Sequence, residues 1–175
     1  ALSEKIAIIG EKLSIRRYEK IVNNDGCVVS YIHGGGRIGV IVAANGEANE
    51  ANKAALKNIA MQVAAMNPKY VSTADVSEEY KAHELEILVA QAKNDPKNAS
   101  KPDNIIEKMV QGRLAKELKE VCLLEQEYVK AENKESVAQY VESVAKAAGC
   151  KLAVKNFVRF ETGEGLEKKQ EDFAA

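Results

Sequence analysis

The stretch SYIHGGGRIGVIVAANG, residues 30–46, decides how the chain folds. On either side of its glycines the residues are rich in β-branched and aromatic side chains, which favour strands. Glycine adopts positive φ angles at little cost, as a tight turn between two strands requires. The stretch therefore predicts a β-hairpin whose turn lies at Gly34, Gly35 and Gly36.

The same glycines match two functional motifs. Gly34, Gly36 and Gly39 have the G-x-G-x-x-G spacing of dinucleotide-binding loops, and residues 33–36 spell the HGGG of some esterase oxyanion holes. A dinucleotide site needs a helix directly after the loop, because the helix N-terminus binds the pyrophosphate. Here a β-rich run follows instead, and no serine has the G-x-S-x-G setting of an esterase nucleophile. We therefore expect no catalytic residue and no cofactor site.

The composition is that of an ordinary globular chain. Lys and Arg number 25 against 26 Asp and Glu, so the basic excess typical of nucleic-acid-binding proteins is missing. The three cysteines, Cys27, Cys122 and Cys150, form no C-x-x-C pair, and together with two histidines they predict no metal site. No apolar run approaches the roughly 18 residues of a membrane span. We expect a cytoplasmic protein without nucleic-acid or membrane partners and, because the chain starts without Met, a piece of a longer one.

Periodicity elsewhere predicts further helices and strands. Apolar residues at helical spacing predict helices at 2–10, 48–66 and 136–148, and a last one that begins near 165. Alternation predicts an edge strand at 13–22 and another strand at 151–161. On the latter we expect one face to carry Leu152, Val154, Val158 and Phe160.

Residues 75–120 predict an inserted helical hairpin. Asp75 and Glu78 have capping-box spacing before a helix that extends to about Asn94, and Pro102 suits the first turn of the next helix. Two helices joined by so short a loop must lie antiparallel. The second helix carries a heptad-like apolar seam typical of coiled coils, formed by Ile106, Met109, Val110, Leu114 and Leu118.

Together these elements predict an α+β fold. We expect a small antiparallel sheet of three to four strands packed with helices, plus the inserted antiparallel helical hairpin. The core domain is expected to comprise residues 1–72 and 121–165, with the hairpin at 73–120. A C-terminal module is expected at 166–175.

His33 stands at the predicted tip of the β-hairpin, beside three glycines that are too small to shield it. The residue alone leaves two interpretations open: a partly packed structural histidine, or a contact residue on an exposed loop. Glycines at such a tip also let the backbone approach a partner closely.

With the hairpin in view, the chain resembles the C-terminal two-thirds of bacterial elongation factor Ts. Matches lie in order along essentially all 175 residues, and their ordered succession is more specific than any single one. The segments that carry the resemblance are IGEKLSIRR (9–17), SYIHGGGRIGVIVAA (30–44), NIAMQVAAMNPKYV (58–71), EKMVQGRLAK (107–116), CLLEQEYV (122–129) and FVRFETGEGLEKKQEDFAA (157–175).

The resemblance implies a guanine-nucleotide exchange factor for elongation factor Tu, acting in translation elongation and not as an enzyme. Such a factor binds the GTPase in its GDP-bound or nucleotide-free state and promotes GDP release. The family's contacts with the nucleotide domain of the GTPase correspond here to Ile9 and His33. We extend the expected partner-binding surface to the rest of the loop and to the tail, that is, to Gly34, Gly35, Gly36, Arg37 and Phe173.

The resemblance also implies a homodimer, because the helical hairpin corresponds to the family's dimerisation module and its seam would form the contact. The family's Thr-Asp-Phe exchange motif lies upstream of the matching region, so we expect a fragment that lacks it. Residues 171–173 (EDF) match the family's C-terminal segment and not that motif. The alternative is a self-associating structural α+β module without exchange activity.

Overall fold

The computed structural model describes residues 1–98 and 100–166. Its architecture is α+β, as the sequence predicts. Within this part of the chain the helices and strands are α1 (Leu2–Ile9), β1 (Gly26–His33), β2 (Ile38–Gly46), α2 (Glu50–Met66), α3 (Glu78–Asn94), α4 (Asp103–Val121), α5 (Val137–Ala148) and β3 (Leu152–Glu161). Beyond Leu166, the last predicted helix and the C-terminal module lie outside the described residues.

Strand β2 lies between β1 and β3, and both pairings are antiparallel. Val42 of β2 pairs with Val29 on one side and with Phe157 on the other. These three side chains belong to the main hydrophobic core, in which Val42 is fully buried. The sheet described here therefore has three strands, the lower number of the range predicted from the sequence.

The edge strand predicted at 13–22 is wrong, because these residues form no strand. Side chains, and not a backbone ladder, hold the segment against the sheet. The Arg17 guanidinium lies 4.7 Å from the centroid of the Phe160 ring, and the Asn23 side chain donates to the Ala44 carbonyl at 2.8 Å. Tyr18 is 87% exposed. Ile15, on the face predicted to be apolar, is 70% exposed as well, so the alternation in this segment does not mark a buried strand face.

The prediction that Leu152, Val154, Val158 and Phe160 share one face of β3 is wrong, because the strand contains a β-bulge. The ladder between β2 and β3 skips Lys155. One extra residue reverses the alternation of every side chain beyond it. Leu152 and Val154 therefore pack in the core, whereas Val158 and Phe160 line a groove on the opposite face with Arg17.

Helix α2 covers the core face of the sheet. It begins after Asn49, whose side chain accepts a hydrogen bond from the backbone N–H of Asn52 at 2.8 Å. Leu56, Ile59 and Val63 recur at helical spacing and are fully buried. Burying each such side chain contributes roughly 1.5–3 kcal/mol. The apolar face of α2 is therefore a main source of stability for the sheet.

Gln62 joins α2 to the segment that follows the helical hairpin, and it is fully buried. Its Nε2 donates to Gln126 Oε1 and to the Glu127 carbonyl, both at 3.1 Å, while its Oε1 accepts from the Val129 N–H at 2.8 Å. Gln126 Nε2 in turn donates to the Glu120 carbonyl at 2.7 Å, in the last turn of α4. Breaking this network would leave buried polar groups without partners.

Helices α3 and α4 pack together as the predicted helical hairpin. Helix α3 begins after Ser77, whose hydroxyl oxygen accepts from the Tyr80 N–H at 3.2 Å, so the predicted cap at Asp75 is wrong. Asp75 is engaged elsewhere, because its carboxylate accepts from the Ser72 N–H at 2.8 Å in a capping box one short turn earlier. The hairpin has an apolar cluster of its own, formed by Leu88, Ala92, Ile106 and Val110.

We expect Gln62→Leu to lower the free energy of unfolding by about 2–4 kcal/mol, because it leaves Oε1 of the buried Gln126 without its donor and the Val129 N–H without its acceptor. For a chain of this length, that loss corresponds to a decrease in melting temperature of roughly 5–15 °C. Gln111→Leu, at an exposed position of α4, is the control. Thermal unfolding followed by circular dichroism measures both variants, and equal melting temperatures would contradict the role assigned to the network.

Candidate functional site

The tip of the β1–β2 hairpin is a short turn of three glycines. Gly34, Gly35 and Gly36 have φ angles of 59°, 65° and 99°, a region that disfavours side chains. The prediction that these glycines form the turn is confirmed. The Arg37 N–H donates to the Gly34 carbonyl at 3.4 Å, and the Thr162 N–H donates to the Arg37 carbonyl at 2.8 Å. The turn is therefore tied to the chain that leaves β3.

His33 ends β1, and its side chain is exposed. Its Nδ1 lies 2.9 Å from the hydroxyl of Tyr31, two residues earlier on the same face of the strand. Tyr31 is half-buried and packs against the main core. Of the two interpretations that the sequence left open, the exposed position agrees with the contact residue, and its role stays a prediction.

The side chain of Arg159, on β3, is largely buried and lies further from the tip than His33, by two residues along the ladder. His33 faces Ile38 across the ladder, and Tyr31 faces Val40, which in turn faces Arg159. The Arg159 guanidinium donates to the Ala64 carbonyl at 3.4 Å, near the end of α2, and pairs with Glu161 at 2.9 Å. A cation at the C-terminal end of a helix complements the helix dipole. The alternation of β3 without the bulge at Lys155 places Arg159 on the opposite face, so no pattern in the sequence predicts it here.

The predicted partner-binding residues do not all lie in one place. His33, Arg37 and the three glycines share the hairpin tip, whereas Ile9 lies on α1, which buries none of its residues. Ile9 is 53% exposed and is followed by Gly10, whose φ of 77° ends the helix as predicted. Phe173 lies outside the described residues.

The predicted dimerisation residues lie on α4 and differ in exposure. Ile106 and Val110 are buried against α3 of the same chain, while Met109, Leu114 and Leu118 are half-buried. Two apolar side chains of the hairpin are more exposed, Ile87 at 38% and Ile105 at 45%. Part of the seam is thus used within one chain, and its role between chains stays a prediction.

The three cysteines are free thiols, and Cys27 and Cys122 are buried. Burial raises the pKa of Cys122 to about 11, and the nearby carboxylates of Glu125 and Asp75 add to the shift. Burial also raises the pKa of Cys27. Because the thiolate is the reactive form, these two thiols are poor nucleophiles at neutral pH.

Neither a metal site nor a membrane-spanning helix is found in the part of the chain that the structure describes. No group of three His, Cys, Asp or Glu side chains among residues 1–98 and 100–166 is placed to hold a metal ion. In the same ranges, none of the helices combines the length and apolar character that crossing a membrane requires.

One known protein family matches nearly the whole chain. The family model described as Elongation factor TS aligns with residues 1–164. The chain belongs to the elongation factor Ts family. The resemblance noted in the sequence is therefore confirmed, and the elongation factor Ts match includes the glycine tip, both edges of the sheet and the helical hairpin.

Curated relatives named Elongation factor Ts are similar over the same span. The one from Clostridioides difficile (strain 630) is 56% identical over 174 residues, which are 99% of this chain and 55% of that protein. The one from Clostridium perfringens (strain 13 / Type A) is 48% identical over 174 residues, 99% of this chain and 56% of that protein. The one from Trichlorobacter lovleyi is 45% identical over 179 residues, again 99% and 56%. The chain spans a little over half the length of these relatives.

We expect the free energy of unfolding to decrease as the pH rises from 9 to about 11, because the folded state holds the Cys122 proton that the unfolded thiol releases near 9.0. Below that range both states keep the proton, so the contribution of Cys122 is complete there. A shift of this size corresponds to about 3 kcal/mol.

The Cys122→Ala variant should lose less stability across this pH range than the parent chain. Urea unfolding at neutral pH and at successive alkaline pH values measures the difference. Ser143→Ala, at an exposed position without a titratable side chain, is the control and should keep the parental slope. Identical slopes for the parent and Cys122→Ala would show that the Cys122 thiol is not protected by folding.

Proposed function

We propose that this chain binds elongation factor Tu, in its GDP-bound or nucleotide-free state, and promotes GDP release during translation elongation. The observation that carries the proposal is the match of the elongation factor Ts family across residues 1–164. The exposed glycine tip of the sheet offers a surface suited to such a contact. In this proposal the activity comes from binding alone, without bond chemistry.

Exchange follows from reciprocal coupling between two ligands of one GTPase. A factor that binds the nucleotide-free state more tightly than the GDP-bound state must weaken GDP binding by the same ratio. About 4 kcal/mol of differential contact weakens GDP binding about a thousandfold. Contacts made equally in both states shift nothing, however strong they are. The relevant side chains are therefore those that enter a region of the GTPase that changes with its nucleotide.

His33 and the adjoining loop are the proposed polar contact. A Cβ at Gly35 or Gly36 would meet no atom within 4 Å, so the open side of the turn faces solvent. The absence of side chains there lets the backbone of a partner come close to the turn. Arg37 adds a positive charge on the same loop, and Thr162 holds the backbone of Arg37 in place.

Ile9 is the proposed apolar contact. Its side chain is 53% exposed, and the neighbouring Ile8 is 77% exposed, although both are large and apolar. Exposed apolar side chains that cluster on a surface mark interaction sites more often than isolated ones do. Phe173 completes the proposed surface on the strength of the family resemblance alone.

The proposed exchange activity is partial. The 175 residues contain no Thr-Asp-Phe sequence, and the chain covers 55% of the Clostridioides difficile relative. We infer that it retains part of the binding surface and stimulates GDP release less than a version extended upstream. A cytoplasmic site of action belongs to the same proposal.

Self-association through the helical hairpin is a second candidate role. The apolar cluster of the hairpin is separate from the core of the body, which supports a division into a core at 1–72 and 121–165 and a hairpin at 73–120. The apolar surface still available for a second copy comprises Ile87, Ile105, Met109, Leu114 and Leu118.

We expect His33→Ala to weaken binding to GDP-bound elongation factor Tu about thirtyfold or more, because a side chain that fills a pocket at an interface contributes about 2 kcal/mol or more. Its melting temperature should stay within about 2 °C of the parent, since the side chain is exposed. Calorimetric titration and melting curves measure the two effects, and release of a fluorescent GDP analogue measures exchange.

Two further variants sharpen this test. Ile9→Ala should weaken binding with little loss of stability, because α1 buries none of its residues. Lys116→Ala, at an exposed position of α4 remote from the tip, is the control and should bind normally. Normal binding by both His33→Ala and Ile9→Ala would remove the tip and α1 from the proposed surface.

Replacing residues 81–116 with a short Gly-Ser linker should leave the body folded, because it keeps the Glu120 carbonyl that accepts from Gln126 and the bond of the Leu123 N–H to the Tyr70 carbonyl at 2.9 Å. If the hairpin carries self-association, sedimentation equilibrium should then give the mass of one chain. A shortened chain that sediments with the same number of copies as the parent would place the interface elsewhere.

A further inference from the structure

The contact between Tyr31 and His33 has a chemical consequence for the tip. The Tyr31 hydroxyl lies 2.9 Å from His33 Nδ1, and the two ring centroids are 5.9 Å apart. Among residues 1–98 and 100–166, Tyr31 is the only hydrogen-bond partner of the imidazole. The contact therefore determines how the exposed ring is held.

Tyr31 is well placed to hold the ring because its own position is fixed. It is half-buried, packs against the main core and pairs with the buried Val40 across the ladder. His33, by contrast, is exposed at the end of the strand. A side chain anchored in the core thus reaches out to orient one at the surface.

The Tyr31 hydroxyl can donate to Nδ1 or accept from it, and the first arrangement is favoured because a phenol O–H is a stronger acid than the N–H of a neutral imidazole. A neutral imidazole has one nitrogen that donates and one that accepts, and the bond made by one nitrogen decides the role of the other. When the phenol O–H donates to Nδ1, the imidazole proton resides on Nε2. The outer nitrogen is then a hydrogen-bond donor directed away from Tyr31.

We propose that Tyr31 is a positioning residue that presents His33 Nε2–H as a donor to a carbonyl or carboxylate oxygen of the partner. The proposal rests on the contact role proposed above for His33. Tyr31 itself need not touch the partner. Its contribution is to reduce the freedom that the imidazole loses on binding, since ordering a mobile side chain at an interface costs affinity.

Tyr31→Phe removes the hydroxyl and keeps the packing of the ring. We expect it to weaken binding to GDP-bound elongation factor Tu about threefold to tenfold, the range of one net hydrogen bond. Tyr140→Phe is the matched control, because it removes a hydroxyl that accepts from Asn58 at 2.9 Å elsewhere in the body. The control should bind as the parent does.

A double-mutant cycle separates positioning from a general effect on the fold. If Tyr31 acts through His33, Tyr31→Phe should have no further effect on binding in a His33→Ala background. A loss of the same size in both backgrounds would overturn the proposal, because Tyr31 would then act without the imidazole.

The protonated nitrogen can be observed directly on the chain alone. The sequence has two histidines, so His83→Gln leaves the signals of His33 as the only imidazole signals. Long-range ¹H–¹⁵N spectra at alkaline pH should show the proton on Nε2 in the parent and a mixture of both forms after Tyr31→Phe. A mixture in the parent, or spectra that Tyr31→Phe leaves unchanged, would overturn the proposal whatever the binding data show.

Two substitutions of His33 test the outward donor even where Tyr31→Phe fails to fold. Glutamine places its amide near the position of Nε2, whereas asparagine places its amide near that of Nδ1. His33→Gln should therefore retain more binding than His33→Asn, and the reverse order would contradict an Nε2–H donor. Normal binding by His33→Ala would refute the contact role itself, and the spectra would still decide whether Tyr31 sets the imidazole form.

Discussion

The antiparallel pairing of β2 with strands on both sides is the constraint on which the rest of the structure depends. One face of β2 carries Val40 and Val42 into the core, where they meet the fully buried Leu56 of α2. At the end away from the tip, a Cβ at Gly46 would overlap the Lys151 carbonyl oxygen, so β3 can approach this closely only beside a glycine. The loss of either pairing would uncover the face on which α2 packs.

Contacts with this core fix the geometry of the tip. Arg159 is held between the Ala64 carbonyl of α2 and the carboxylate of Glu161, so the end of the helix and the end of β3 are fixed to each other. The chain that leaves β3 then bonds back to Arg37 through Thr162. The loop that we propose as a contact surface is therefore supported from both strands and from α2, although its own residues are exposed.

The sequence predicted correctly those structural features that depend only on residues close together in the chain. The hairpin and its glycine turn follow from residue types within a few positions, whereas the sequence left open whether His33 is packed or exposed. The predictions were wrong where the structure depends on contacts with distant parts of the chain. Residues 13–22 lie on a sheet face formed by later strands. The bulge at Lys155 depends on the register between β3 and β2. The sequence does indicate that Tyr31 and His33 are neighbours, because residues two apart in a strand share a face. Alternation alone does not show which of the side chains on a face form a hydrogen bond.

A factor that acts by differential binding needs a contact surface that is stiff as well as exposed. Energy used to order the factor itself is not available to distort its partner, because only differences between the two states of the GTPase shift the nucleotide equilibrium. Three glycines would by themselves make a tip too mobile for this purpose. The bond from Thr162 to the Arg37 carbonyl limits the backbone, and the bond between Tyr31 and His33 limits the side chain. In the contact that we propose, the exposed imidazole meets its partner with part of its freedom already lost, so that more of the contact energy acts on the GTPase.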